Sequence, residues 1–222
     1  MSATAHTAGT GVELSFRAEG AAPVEYAAVP TLGIHLRVDS LGGEPIRSVL
    51  LDTQIQIAAR LRSYEASEQE RLHDLFGTPD RWRDTLRTLP WTRLTVVVPP
   101  FRGSTLVELP VTCTYDLEVA AANYLSALDD GEVPLELLFS GSVFYSAPDG
   151  RLQTARIPWT KEVEYALPVS VWRETMDRHF PGSAWLRLSR DCYDRLRAYR
   201  ARNALPSWDR AIESLLREGE RG

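Results

Sequence analysis

Alternation of apolar and polar residues, the two-residue period of a β-strand, is the pattern that most constrains the fold of this chain. Residues 32–39 alternate strictly, with aliphatic side chains at the even positions and Gly, His, Arg and Asp between them. Residues 49–61 continue the pattern with mostly aliphatic side chains at the odd positions. Because Gly42 and Gly43 lie between the two runs, we expect a long antiparallel hairpin with one face buried.

Further strands are predicted along the next hundred residues. Pro110 predicts that the strand around it lies at a sheet edge or contains a bulge, since proline cannot donate a ladder hydrogen bond. A turn at 148–150, of sequence Pro-Asp-Gly, predicts a second hairpin. The runs that carry strand character are residues 94–98, 107–119, 133–146, 152–159 and 162–167.

A short helical insertion is predicted at about residues 66–88. Ser67 and Glu70 have the spacing of a capping box, and Thr78 followed by Pro79 is typical of a second helix start.

Two later segments also predict helices. The alanine-rich composition of residues 120–128 favours a short one. From about residue 169 to residue 218 the apolar period becomes helical, which predicts three C-terminal helices with Ser170, Ser189 and Ser207 as N-caps.

This order of elements predicts an α+β fold, in which an antiparallel β-sheet with long hairpins carries a short helical insertion and three C-terminal helices. A chain of 222 residues can bury one full core. Since we find no repeat or linker, we expect residues 12–222 to form a single domain. Residues 1–11 are small and polar and predict a flexible tail.

With no signal-peptide pattern and no apolar run of ~18 residues, we expect a cytoplasmic protein without a membrane span.

No motif for a known chemistry occurs in the sequence. Cys113 and Cys192 are too far apart for a CxxC pair, and the four histidines have no metal-ligand spacing. Phosphate-binding and dinucleotide-binding glycine motifs do not occur, so we expect neither a cofactor nor a metal. The net charge of -5 argues against nucleic acid as a partner.

Two functional interpretations that require no recognisable motif stay open. One is an enzyme whose site assembles in three dimensions from polar strand faces, with His35, Asp52, Asp116 and Glu118 as candidates. The other is a permanent structural subunit of a complex.

The segment LPWTRLTVVVPPF, residues 89–101, favours a β-strand and contains Arg93 as its only charge. An apolar strand at a sheet edge invites strand addition by another polypeptide. We therefore expect either the sheet or a protein partner to cover this segment. The candidate protein-contact residues are Trp91, Val96, Val98, Phe101 and Phe144.

Four segments carry a family resemblance: PDRWRDTLRTLPWTRLTVVVPPF, VTCTYDLEVAAANYL, DGEVPLELLFSG and PSWDRAIESLL. They resemble an uncharacterised family of high-GC bacteria that is often encoded near nickel-iron hydrogenase genes. The order of the strands and C-terminal helices is also similar to that of SecB-type export chaperones. In particular, the similarity lies in the predicted hairpin 32–61 and in the strand LELLFSGSVFYSAPDG.

Together, the absent catalytic motifs, the apolar strand and the resemblance predict a non-catalytic accessory protein that binds another protein. The resemblance implies a chaperone-like or assembly role, with a nickel-iron hydrogenase component or an unfolded client as the partner. Self-association into a homo-oligomer stays open.

Overall fold

The computed structural model describes residues 12–114, 116, 119–183 and 186–220. The chain divides into two compact units, residues 1–184 and residues 185–222, and each unit is described by itself below. The predicted tail, residues 1–11, lies outside the described residues. The expectation of a single domain stays a prediction.

The first unit contains two antiparallel sheets. The smaller sheet has the strand order β1-β2-β5, with β1 (Leu14–Pro23), β2 (Thr31–Ser40) and β5 (Ser104–Thr112). The larger sheet has the order β4-β3-β6, and both β7 and β8 pair with β6. Its strands are β3 (Ile46–Ile57), β4 (Leu89–Val98), β6 (Glu132–Ser146), β7 (Leu152–Ile157) and β8 (Glu162–Pro168).

The inward side chains of both sheets form one hydrophobic core. Alternation places the even residues of β2 and the odd residues of β3 in this core, as the sequence pattern predicts. Phe16 of β1 stacks on Phe139 of β6 with the ring centroids 4.4 Å apart. The two sheets therefore pack face to face, and the polar residues of each strand point away from the core.

Helices connect and follow the strands of the first unit. Between β3 and β4 lie α1 (Ala66–Arg71), α2 (His73–Phe76) and α3 (Trp82–Thr85), with 3₁₀ turns at Ala59–Leu61 and Pro79–Arg81. Helix α4 (Ala120–Ala127) joins β5 to β6, and α5 (Val169–His179) follows β8 and contacts β1 and β2. This arrangement confirms the predicted α+β class, the helical insertion and the short helix near residue 120.

The second unit contains α6 (Arg190–Arg202) and α7 (Trp208–Gly219). The two helices contact each other through Tyr199, whose hydroxyl lies 2.8 Å from Ser214 Oγ and donates to Glu218 Oε1 at 2.8 Å. The guanidinium of Arg200 also stacks over the Trp208 ring at 4.2 Å. Among the described residues of either unit, no helix is long and apolar enough to cross a membrane.

The predicted hairpin at residues 32–61 is wrong. β2 pairs with β1 and β5, whereas β3 pairs with β4 and β6, so the two strands belong to different sheets. Alternation identifies the buried face of a strand, but it carries no information about the partner strand. The β6–β7 hairpin is confirmed, with Gly150 in its turn at φ 82°. Pro110 does lie at a sheet edge, because β5 pairs with β2 and with no other strand of the described residues.

Two of the predicted helix starts are also wrong. Helix α5 begins at Val169 with Pro168 as its N-cap, so Ser170 is already inside the helix. The capping box of α1 joins Glu65 to Glu68. Ser67 is the second residue of the helix and therefore cannot be its N-cap, and its hydroxyl donates to Asp129 Oδ2 at 3.0 Å.

The caps of the C-terminal helix pair match the prediction. The hydroxyls of Ser189 and Ser207 accept hydrogen bonds from the backbone N–H groups of Cys192 and Arg210, both at 3.2 Å.

Candidate polypeptide-binding edge

Strand β4 forms one edge of the larger sheet. It pairs with β3 from Leu89 to Val98, with a register shift at Trp91, and no second strand pairs with it among the described residues. Backbone N–H and C=O groups on such an edge have no ladder partner, which makes the edge a template for another extended chain. We call the unpaired side of β4 the β4 edge.

The inward side chains of β4 are less well covered than those of its neighbour. Leu94 and Val96 are only half-buried, whereas their partners on β3, Thr53 and Leu51, are fully buried. Core coverage therefore thins out towards the β4 edge, and two aliphatic side chains keep accessible surface there.

Helix α4 packs beside the start of β4, where Trp91 lies. A small cavity of about 60 Å³ occurs at this point, between Trp91, Cys113, Leu125 and Trp172. Burial raises the pKa of the Cys113 thiol to about 12, so this cysteine stays protonated at neutral pH. The cavity is thus lined mainly by apolar groups and an unreactive thiol.

The structure places the five candidate contact residues in different environments. Trp91, Val96 and Phe101 are half-buried and pack against the core from its edge. Phe144 is half-buried on the outer face of β6. Val98 is fully enclosed in the core, so its side chain contributes no surface to a contact.

Two apolar residues outside the predicted contact set lie on the outer face of the larger sheet. Val97 is 67% exposed and Leu50 is 45% exposed, and the two are register partners on β4 and β3. Phe144 lies diagonally across from Leu50, since Ser142 is the direct partner of Leu50 on β6. We call Leu50, Val97 and Phe144 the outer apolar patch. Leu50 is an apolar residue among the otherwise polar outward positions of β3, and this exception is the sequence feature that could have predicted the patch.

The chain segment that contains β4 carries only positive charge, whereas the neighbouring strand β3 carries Asp52. Residues 85–107 contain Arg87, Arg93 and Arg102 and no acidic residue, although the chain as a whole has a net charge of -5. Arg87 and Arg102 are exposed and form no ion pair with the described residues.

Arg93 pairs across the sheet with Asp52 on β3. Its Nε donates to Oδ1 at 3.0 Å, and its Nη2 donates to Oδ2. Hydrogen bonding from the Arg93 guanidinium lowers the pKa of the Asp52 carboxyl, so the carboxylate stays ionised. The charge of Arg93 is therefore largely compensated within the sheet.

The residues proposed for an enzyme do not come together. His35 lies on the outer face of β2, with Nε2 3.8 Å from a carboxylate oxygen of Glu108. Asp52 lies on the outer face of β3, and the core separates these two outer faces. Asp116 follows β5 in a loop, and Glu118 lies outside the described residues. Within the described ranges, no group of three His, Cys, Asp or Glu side chains is placed to hold a metal ion.

A buried polar cluster lies between the helical insertion and the start of β6. Glu68 is 2% exposed, and its Oε1 accepts hydrogen bonds from Arg62 Nη2 at 2.8 Å and from the Asp129 N–H at 2.9 Å. Arg62 also donates to the Asp130 carbonyl at 2.7 Å. The bonds to Asp129 and Asp130 join residues 62–68 to the turn after α4, and the Arg62–Glu68 bond holds the two side chains together, which indicates a structural role in holding that turn.

Two tyrosines complete the buried cluster. The hydroxyls of Tyr64 and Tyr124 lie 2.8 Å apart, and the Tyr64 hydroxyl donates to the Ala59 carbonyl at 2.6 Å. Burial raises the pKa of both phenols, so both stay protonated at neutral pH. Neither phenol is ionised to act as a base or nucleophile.

Comparison with known proteins gives a family but no function. A family model described as a family of unknown function, DUF6084, matches residues 11–222. The chain belongs to the DUF6084 family. This confirms the resemblance to an uncharacterised family, while the hydrogenase context and the likeness to SecB stay predictions. No curated protein matches the sequence of this DUF6084 chain.

One solved structure resembles the DUF6084 chain weakly. It is the crystal structure of a Bordetella pertussis protein described as ApaA, which is 9% identical. The match covers 70% of the DUF6084 chain and 94% of the other chain, with a TM-score of 0.27. A TM-score this low carries no argument about fold or function.

Proposed function

We propose that this DUF6084 protein is a non-catalytic accessory protein that binds an extended segment of another polypeptide along the β4 edge. The observation that carries the proposal is a ten-residue edge strand with no second strand partner among the described residues. Added strands gain affinity from main-chain hydrogen bonds and gain specificity from pockets for alternate side chains.

The side chains around the β4 edge support the same proposal. Leu94 and Val96 offer half-covered aliphatic surface on the inner side, and Val97 offers apolar surface on the outer side. An added strand would extend the outer apolar patch on one face and complete the core coverage on the other. Leu94 and Val97 therefore replace the fully buried Val98 as proposed contact residues of β4.

The family resemblance gives the proposal its most specific form. The partner would be a nickel-iron hydrogenase component, held in a chaperone-like manner during assembly in the cytoplasm. An unfolded client of another kind and permanent association with a mature complex are the other outcomes that the experiment below distinguishes.

The test is hydrogen exchange of β4 with and without a partner. The full chain is co-expressed with either nickel-iron hydrogenase subunit, or mixed with reduced, carboxymethylated lactalbumin as an unfolded client. We expect slower exchange in Leu89–Val98 and unchanged exchange in Glu162–Pro168 of β8, because an added strand satisfies the free amides of β4. Unchanged exchange in β4 with every partner would overturn the proposal.

A matched pair of variants tests whether binding depends on β4 in particular or on any edge strand of the protein. Val97→Ser removes apolar surface from β4, and Leu106→Ser removes similar surface from β5, where Leu106 is 56% exposed. We expect Val97→Ser to weaken binding several-fold and Leu106→Ser to leave it unchanged. Equal effects of both variants would contradict a specific role for β4. The intact mass of the mature hydrogenase then tells whether the chain stays bound.

A further inference from the structure

We infer that the segment bound at the β4 edge is apolar at its centre and flanked by acidic side chains at both ends. This inference rests on the proposed function and adds the chemical class of the partner segment.

The length of β4 sets the length of the segment. Its ten residues span about 33 Å at ~3.3 Å per residue. Because helix α4 contacts the start of β4, ten residues is the upper limit for the length of an added strand.

Two exposed arginines that form no ion pair with the described residues flank β4 in the chain. Arg87 precedes the first residue of β4 by two positions, and Arg102 follows the last residue by four. The central Arg93 is already paired with Asp52. Acidic side chains near both ends of the added strand would thus meet positive charge, while its centre would meet mainly apolar surface.

The same charges disfavour a second copy of this chain as the occupant. In an antiparallel pair of β4 strands, Arg87 of one copy would lie near Arg102 of the other. In a parallel pair, each arginine would lie near its own counterpart. Both arrangements place like charges together at the ends of the pair, which opposes self-association through this edge.

The N-terminal residues of this chain are also poor candidates for the segment that occupies the β4 edge. Residues 1–11, MSATAHTAGTG, contain no acidic side chain and no Val, Ile, Leu or aromatic residue. The chemistry therefore favours an extended acidic and apolar segment of another protein.

Three synthetic peptides test the inference. They share one central six-residue sequence of alternating Val and Thr, have blocked termini and differ only in the two residues at each end, which are Glu, Gln or Lys. We expect the Glu-flanked peptide to bind about ten-fold more tightly than the Lys-flanked peptide at about 0.02 M salt, and this difference to shrink at about 0.5 M salt. Binding is measured by calorimetry and located on β4 by hydrogen exchange.

Two double variants with the same loss of charge provide the control. Arg87→Gln/Arg102→Gln removes the two end charges of the β4 edge. Arg151→Gln/Arg156→Gln removes two exposed arginines at or next to β7, which lies at the opposite edge of the larger sheet from β4. We expect the first double variant to abolish the preference for Glu over Lys while it keeps binding of the Gln-flanked peptide, and the second to keep the preference.

The outcomes separate the inference from the proposed function. Equal binding of all three peptides at β4 would overturn the acidic specificity and leave the proposed function standing. Tightest binding of the Lys-flanked peptide would do the same. Failure of all three peptides to bind would overturn both.

Discussion

The guanidinium of Arg62 lies 2.8 Å from the carboxylate of Glu68, and both side chains are nearly inaccessible to solvent, at 10% and 2% exposure. A buried ion pair of this kind is costly to break because the remaining charge stays desolvated without its partner. Glu68 also accepts two backbone N–H groups, from Glu65 and Asp129. The pair therefore fixes the helical insertion against the turn that precedes β6.

Replacement of Glu68 by alanine should destabilise the protein strongly. We expect Glu68→Ala to lower the free energy of unfolding by about 3–5 kcal/mol, because it leaves the Arg62 guanidinium buried and unpaired. Urea unfolding followed by circular dichroism measures the change. Glu213→Ala is the control: this residue pairs with Arg210 at 2.9 Å on the surface of α7, and we expect a loss within about 0.5 kcal/mol. Similar losses for the two variants would contradict the assigned role of the buried pair.

Gly141 should not tolerate replacement by any residue that has a side chain. It lies in β6 at φ 136°, and a Cβ atom there would overlap the carbonyl oxygen of Leu50 on the neighbouring strand. Gly150 also has a positive φ, of 82°, but open space surrounds its Cα. We expect Gly150→Ala to cost about 1 kcal/mol from backbone strain and Gly141→Ala to cost at least about 2 kcal/mol more, because the strands must also separate. Thermal unfolding of both variants checks this difference.

The sequence predicts the inward faces of β2, β3 and β6 well because apolar alternation directly reports burial on a two-sided sheet. It does not predict β1, where Gly20, Ala21 and Ala22 provide no large apolar side chains and a bulge after Ala18 shifts the register. Strand partners are also beyond the pattern, since β2 and β3 are adjacent in sequence but lie in different sheets.

The candidate site is predicted in part for the same reason. The apolar composition of residues 89–101 predicts a β-strand, but its place at the edge of the larger sheet is known only from the structure, because apolar composition does not tell an edge strand from a central one. Which of its valines remain accessible depends on the sheet packed beneath them. Val97 points outward and Val98 inward, and a run of three valines does not distinguish these phases.

Thr53 carries a hydroxyl that has no partner in the core. The residue is fully buried on the inner face of β3, and its Oγ1 forms no hydrogen bond. Valine has nearly the same shape without the polar atom, so we expect Thr53→Val to raise the free energy of unfolding by about 1 kcal/mol. Thr154→Val, on the exposed face of β7, should change stability by no more than about 0.5 kcal/mol. Loss of stability in Thr53→Val would show that the hydroxyl has a partner in solution.

The two cysteines should differ sharply in reactivity. Burial raises the pKa of Cys113 to about 12 and shields its thiol, whereas Cys192 is exposed. Because the thiolate is the reactive species, we expect an aromatic disulfide reagent at pH 8 to modify one thiol in the native protein and two in guanidinium. Cys192→Ser should abolish the native reaction, and Cys113→Ser should leave it intact. Rapid native modification of Cys192→Ser would contradict the burial of Cys113.

The buried phenols of Tyr64 and Tyr124 should make the fold sensitive to alkaline pH. Burial raises both pKa values above the ordinary value of 10.0, so the folded protein keeps protons that the unfolded chain loses. Since the unfolded state binds fewer protons above about pH 10, the stabilisation is complete below that pH and declines as the pH rises. We therefore expect the urea midpoint to fall between pH 9 and pH 11, and to fall less in Tyr64→Phe/Tyr124→Phe, despite the lower stability of that variant at pH 8. Tyr26→Phe, at a fully exposed position, should keep the slope of the parent protein. Equal slopes for all three proteins would mean that the two phenols ionise as readily in the folded state as in the unfolded one.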